Sequence, residues 1–146
     1  MSKPPDFDYA SAFSRNLGWV TPQEQQRLST ARVAIAGMGG VGGAHTLTLA
    51  RLGIGNFHIA DFDRFEVHNF NRQAGASMST LAQPKVDVMR RLALDINPQA
   101  SVTAFGAGVT RDNLDAFLDG VDVYVDGIDF FAIEARRMLF AACHER

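Results

Sequence analysis

Residues 32–43, RVAIAGMGGVGG, decide the fold. Arg32 to Ala36 is a short apolar run that ends in glycines, the pattern of a buried strand. Gly37-Met38-Gly39-Gly40-Val41-Gly42 then fits G-x-G-x-x-G inside a glycine-rich turn over 37–43. A helix is predicted over 45–52, with Gly53 as its C-terminal stop. Glycines allow the tight turn and let the backbone approach a phosphate. The helix N-terminus adds free N–H groups and partial positive charge. A tight turn without a ligand is the plainer reading, but it leaves the strand–turn–helix setting of the motif unexplained. The motif does not choose between ATP and a dinucleotide. Asp61, nineteen residues beyond Gly42, stands where an acid meets ribose hydroxyls, and an NAD or FAD enzyme would show the same pair.

On the N-terminal side, residues 1–20 read as a loose arm. Thr21-Pro22-Gln23-Glu24 is a helix start: Thr as N-cap, Pro at the first position, Glu closing a capping box. The helix runs to about Ser29. On the C-terminal side, 56–60 is a second strand and 63–77 a long polar loop without periodicity, a length that points to function in a compact domain. A helix over 81–96 carries Val86, Met89, Leu92, Ala93 and Ile96 on one face. Then come a strand over 101–105, a short helix capped by Thr110 and ending at Leu118, a strand over 121–125 and a helix from Phe131 to about Cys143. Alternating strands and helices predict an α/β fold: a Rossmann-like, doubly wound parallel sheet of order 3-2-1-4, with ligands at the C-terminal strand ends where the order reverses. The stop directly after a helix, where another strand is expected, reads as a truncated N-terminal half. Residues 21–146 would be the nucleotide-binding domain with its C-terminal part missing.

Bulk properties are those of an ordinary globular chain: 146 residues, 47% hydrophobic, 21% charged. A formal charge of -2 gives no electrostatic case for a nucleic-acid or membrane partner. The single cysteine, Cys143, excludes a disulfide framework and an all-cysteine metal cage within the chain. No signal segment and no apolar run near the roughly 18 residues of a membrane span are found, so a cytoplasmic location is expected.

Past Asp61 the loop reads DFDRFEVHNFNRQ to Gln73; Lys85 follows twelve residues later, and Asp126-Gly127-Ile128-Asp129 follows the fourth strand. All follow strand ends of one parallel sheet and should converge on the glycine loop. A dinucleotide enzyme has no need of an Arg, a Lys and an Asp there. Chemistry at the α-phosphate of ATP needs cations for the charge on phosphoryl oxygens and an acid for Mg²⁺.

With these residues the chain resembles the adenylyltransferases of thiamine and molybdopterin biosynthesis and the adenylation domains of ubiquitin-activating enzymes. The matching residues are Arg15-Asn16, Gly37 to Gly42, Asp61-Phe62-Asp63, Asn69 to Gln73, Pro84-Lys85 and Asp126 to Asp129, so the likeness runs from about Arg15 to the end. It implies ATP-dependent adenylation of a carboxylate, the C-terminus of a ubiquitin-like or sulfur-carrier protein, with release of pyrophosphate. It implies that Gly37, Gly39, Gly40, Val41 and Gly42 line the nucleotide, that Asp61 holds the ribose, and that Asp63 stands beside it. Asn69 and Arg72 would contact phosphates, with Arg72 stabilising the transition state. Lys85 would neutralise phosphate charge, and Asp129 would bind Mg²⁺. Arg15 would reach into a partner subunit's site, implying a homodimer. One branch of such enzymes acts instead on a small carboxylate of a modified RNA base. Phe130 stands where the family usually has Asn, and His68 where a small Ser is common.

Each residue also has a plainer reading. Lys85 is one of only two lysines, and a cation at a helix N-terminus is unfavourable unless an anion meets it. Arg72 and Arg15 alone would pass as surface residues, and Asp129 as a helix cap. His45, His58 and His68 read as structural, and Cys143 as buried and inert. An oxidoreductase domain binding NAD or FAD would use the glycines and Asp61 but leave Arg72 and Lys85 idle. A non-catalytic nucleotide-binding partner subunit is the third alternative.

Overall fold

A computed structural model of the chain describes residues 6–146. The first five residues of the expected arm, Lys3 among them, lie outside the described residues. Helix α1 (Tyr9–Ala12) and a 3-10 turn (Ser14–Asn16) lead into α2 (Pro22–Thr30). The capping box forms as read, with the Thr21 side chain accepting from Glu24 N–H and the Glu24 carboxylate accepting from Thr21 N–H at 2.7 Å. Then come β1 (Arg32–Ala36), α3 (Gly40–Leu52), β2 (Asn56–Ala60), α4 (Lys85–Ile96), β3 (Ser101–Phe105), α5 (Leu114–Leu118), β4 (Val123–Asp126) and α6 (Ile133–His144).

The four strands form one parallel sheet in the order β3-β2-β1-β4, as expected. Register pairs Ala36 with Ala60 on one side and with Asp126 on the other. All three strand ends therefore stop level, beside the glycine loop. Each face carries its own core. Val33, Ile35, Phe57 and Ile59 pack under α3 and α4 with Val88 and Met89. Ala34, Ala36 and Ala60 pack against Phe117, Leu118 and Leu139 of α5 and α6. Small residues on one face and large ones on the other match the alternation of side chains along a strand. His58 points to the alanine face, where its Nδ1 bonds the Phe117 carbonyl at 2.7 Å.

Several boundaries differ from expectation. α3 starts at Gly40, not His45, because packing rather than helix propensity governs its first turn. α4 starts at Lys85: Pro84 is extended (ψ 133°) and the chain before it pairs with residues 64–65, Phe65 N–H donating to the Gln83 carbonyl at 3.0 Å. The helix begins after Pro84, where the proline's missing N–H costs nothing. Thr110 and Asn113 cap one another across a turn, and α5 begins only at Leu114. β4 and α6 each start two residues later than read. The arm is not loose from Asp8 on. Tyr9 OH donates to the Gly53 carbonyl at 2.6 Å, Asn16 Nδ2 donates to the Leu52 carbonyl at 3.1 Å, and Phe13 is buried. Among the described residues no helix is long and apolar enough to cross a membrane.

Candidate functional site

At Gly37 and Gly42 the glycine loop is held by backbone contacts that leave no room for a side chain. Gly37 has φ +89°, and a Cβ there would lie 2.2 Å from the Gly127 carbonyl oxygen. A Cβ on Gly42 would lie 1.7 Å from the Gly37 carbonyl oxygen. The loop thus packs on itself and on the segment after β4. Gly39 is the N-cap of α3, and no side chain caps the helix. Gly43 N–H, bonded to the Gly39 carbonyl at 3.0 Å, is the first to enter the helical ladder. The N–H groups of Gly40, Val41 and Gly42 therefore carry the dipole's positive end without an internal partner.

Asp61 ties β2 to this loop. One carboxylate oxygen accepts the Met38 N–H at 2.7 Å, and the other accepts the Asp63 N–H at 2.7 Å. Each oxygen keeps a second lone pair for a hydroxyl donor. Asp61 borders a cleft of about 170 Å³ that Gly37, Phe62, Asp63, Ile128 and Asp129 also line. The sequence places the 61–73 loop, Lys85 and Asp126–Asp129 at the glycine loop; of these, Asp61, Asp63, Ile128 and Asp129 share this cleft with Gly37, and Arg72 and Lys85 do not line it.

The 63–77 loop is largely ordered by its own contacts. Phe65 and Asn69 are buried. Asn69 Oδ1 accepts the Glu66 N–H at 2.9 Å and closes a 3-10 turn over Val67–Asn69. Its amide nitrogen has no partner among the described residues and keeps two N–H donors, and the oxygen keeps a second lone pair. Arg72 lies against the start of α3: its carbonyl oxygen and Cγ are 3.5 and 3.7 Å from where a Cβ on Gly40 would sit. Its guanidinium stays on the exposed side, one nitrogen donating to the His68 carbonyl at 2.8 Å and to Asn71 Oδ1 at 2.9 Å. Lys85 is buried, 6% exposed, with Nζ 3.4 Å from Asp63 Oδ2 and 5.9 Å from the Phe65 ring centre. Its backbone N–H also donates to the Asp63 carbonyl at 2.9 Å. A buried ammonium with one long carboxylate contact has donors to spare for an anion.

Asp129 caps a turn rather than α6. One carboxylate oxygen accepts the Phe131 N–H at 2.9 Å, while the N-cap of α6 is Ala132. The other oxygen has no partner among the described residues. Arg136, which the sequence reading passed over, holds this segment. Its guanidinium forms an ion pair with Asp126 and donates to the carbonyls of Ile128 at 3.0 Å and Phe130 at 3.1 Å. The Asp126 hydrogen bond raises the Arg136 pKa further. An arginine ten residues after a strand-end aspartate was the available signal, but it sat on a helix that read only as packing. On the same helix, Cys143 is half-buried rather than buried, and burial pushes its thiol up, away from the reactive thiolate.

Arg15 is not at this cleft. Its neighbour Asn16 is bonded at Leu52, the far end of α3, whose thirteen residues span about 20 Å. Asp61, Asp63 and Asp129 line one cleft with Gly37, Lys85 reaches it only through Asp63, Arg72 lies on Gly40, and Arg15 stands apart.

The profile of the ThiF family matches residues 13–146. The chain belongs to the ThiF family. Among ThiF-related proteins, the tRNA threonylcarbamoyladenosine dehydratase of Bacillus subtilis is 38% identical over 105 residues, covering 72% of this chain and 41% of that protein. The molybdopterin-synthase adenylyltransferase of Salmonella typhimurium is 37% identical over 94 residues, covering 64% and 38%. The crystal structure of the Escherichia coli tRNA N6-threonylcarbamoyladenosine dehydratase in complex with ATP superposes with TM-score 0.86 at 31% identity, over 93% of this chain and 56% of that one. The ThiF domain here thus spans about half, or less, of the length of these relatives.

Proposed function

We propose that this domain binds ATP with its phosphates at the N-terminus of α3 and serves the adenylation of a carboxylate. The observation that carries the reading is Arg72 packed on Gly40: a guanidinium stem lies over an uncapped helix start, beside the N–H groups of the glycine loop. A carboxylate oxygen of the substrate attacks the α-phosphorus. The new P–O bond gives an acyl adenylate, and the bond from the α-phosphorus to its bridging oxygen breaks as pyrophosphate leaves. Asp61 receives the ribose hydroxyls on its remaining lone pairs. Arg72 swings from its His68 and Asn71 partners onto the phosphates, and Lys85 neutralises charge from beneath. Both act on charge that grows in the transition state.

Mg²⁺ fits the donors present. Asp63 and Asp129 line one cleft, and this ion is held by one or two carboxylates together with phosphate oxygens. When bound, it would offset phosphate charge; Asp129 offers its unpartnered oxygen and Asp63 already faces Lys85.

The acceptor carboxylate we favour is the C-terminus of a small carrier protein, in keeping with the molybdopterin-synthase adenylyltransferase among the relatives. A carboxylate carried on tRNA is the second reading, favoured by the likeness to the tRNA dehydratases. Arg15, placed away from its own cleft, suits a homodimer in which it serves the partner's site. An NAD or FAD domain would leave Lys85 and Arg72 without a role.

ATP–pyrophosphate exchange tests the reading, with Mg²⁺ and with candidate carriers or tRNA supplied in turn. Acceptor-dependent exchange that falls about 100-fold or more in Arg72→Ala supports it. Binding of NAD in preference to ATP, or exchange indifferent to Arg72, contradicts it.

A further inference from the structure

The molecule holds one polar group beside the glycine loop that none of the roles above uses. Gln73 is 8% exposed, and its Nε2 and Cδ lie 3.5 and 3.8 Å from where a Cβ on Gly39 would sit. Its backbone is fixed at both ends: the N–H donates to the Asn69 carbonyl at 2.9 Å, and its carbonyl accepts the Ala76 N–H at 2.9 Å. Its carboxamide is not. No hydrogen bond from the described residues reaches either end, and Oε1 is fully buried without a donor. Thr80, buried nearby in the same loop, shows what a structural polar group does there: its hydroxyl donates to the Gly75 carbonyl at 2.6 Å. The buried oxygen is an acceptor that a phosphate would leave unpaired; the nitrogen, the atom nearest Gly39, is the end without a partner that can donate to a ligand.

We propose that Gln73 is a phosphate-contacting residue, whose carboxamide donates an N–H to the nucleotide phosphate seated over Gly39. This rests on the ATP-binding reading and deepens it. The geometry supplies the rest. Gly39 has no side chain, and the carboxamide nitrogen is the Gln73 atom nearest the place that a side chain would take. The neighbouring Arg72 approaches the next residue, Gly40, from the same strand of loop. Residues 72 and 73 therefore pack on adjacent positions of the helix start, Arg72 through its carbonyl and Cγ and Gln73 through a neutral, directional donor. A planar amide can present nitrogen or oxygen by rotating about its last bond, so a donor is available whichever way it rests. Gln73 would then discriminate nucleotides by phosphate content and not by base.

The test compares Gln73→Leu and Gln73→Glu with the unaltered chain, by calorimetric titration with adenosine, AMP, ADP and ATP, and by thermal melting. We expect Gln73→Leu to bind ATP about 10-fold or more weakly, to bind adenosine unchanged, and to melt no lower than the parent. Gln73→Glu should lose more ATP affinity than Gln73→Leu, since it sets a negative charge against the phosphates. Equal affinities for ATP in parent and Gln73→Leu overturn the proposal. So does an equal loss for adenosine and ATP accompanied by a lower melting temperature, which marks a structural role. If the parent chain binds none of the four, the ATP reading itself has failed, and this inference with it.

Discussion

The Asp61 carboxylate accepts the Met38 N–H at 2.7 Å, which locks the end of β2 onto the glycine loop before any ligand is considered. The same carboxylate shapes the turn that carries Asp63, the partner of Lys85. One side chain thus ties down both the glycine loop and the turn that carries the partner of the buried ammonium.

Removing that carboxylate should therefore damage more than a ribose contact. In Asp61→Ala two charge-assisted hydrogen bonds are lost, and we expect a destabilisation of about 2 kcal/mol. Asp61→Asn keeps one acceptor but turns an NH₂ group toward the other backbone N–H, so it should recover only part of that loss while binding adenosine more weakly. Denaturant melts and adenosine titration separate the two effects. Equal stability of Asp61→Ala and the parent would contradict the linkage.

The glycines of the loop should differ sharply in tolerance. Gly42→Ala forces a methyl group to 1.7 Å from a backbone carbonyl, and the chain cannot yield without opening the loop. A loss of about 3 kcal/mol or a failure to fold is expected. Gly106→Ala meets nothing closer than a Val86 methyl at 3.9 Å and should be neutral within about 0.5 kcal/mol. Thermal melts of the two variants check this.

Arg136 should act on the segment that presents Asp129. In Arg136→Ala the carbonyls of Ile128 and Phe130 lose their donor and Asp126 loses its ion-pair partner. Amide hydrogen exchange at Ile128 and Phe131 should quicken while exchange in β1 and β2 stays slow. Unchanged protection at both amides would show that the loop holds without the arginine.

The capping box of α2 should be pH-dependent. Glu24 is held below the usual glutamate range by the backbone and side-chain hydrogen bonds of Thr21. A carboxyl with a lowered folded pKa adds stability above its unfolded pKa and loses it as pH falls through the folded pKa. Between about pH 5 and pH 3 the melting temperature of the parent should fall more steeply than that of Glu24→Gln. Parallel curves would contradict this.

Much of the architecture was legible because its signals are local. Thr21 and Glu24 announce a helix start by spacing alone, and RVAIA followed by glycines announces a buried strand. The strand order follows from chirality once the elements alternate. The start of α3 was misread because Gly40 to Gly43 have low intrinsic helix propensity, and only the packing of Gly42 on Gly37 shows why they are helical. The same limit hid Arg136 and left Gln73 a motif residue without a role. Their roles depend on which backbone carbonyls or glycines lie opposite, and that is set by tertiary contact. Nothing in the spacing of Asn69 shows that its oxygen accepts from the Glu66 N–H and closes a turn.

The central claim is that ATP phosphates sit on the uncapped start of α3. An amide NMR titration of this chain with ATP, and separately with NAD, addresses it most directly. We expect ATP to shift the amides of Gly39 to Gly42, Asp61 and Arg72 first and most, with NAD producing weaker changes. Saturable shifts with NAD alone, or ATP shifts confined to residues far from α3's N-terminus, would contradict the claim.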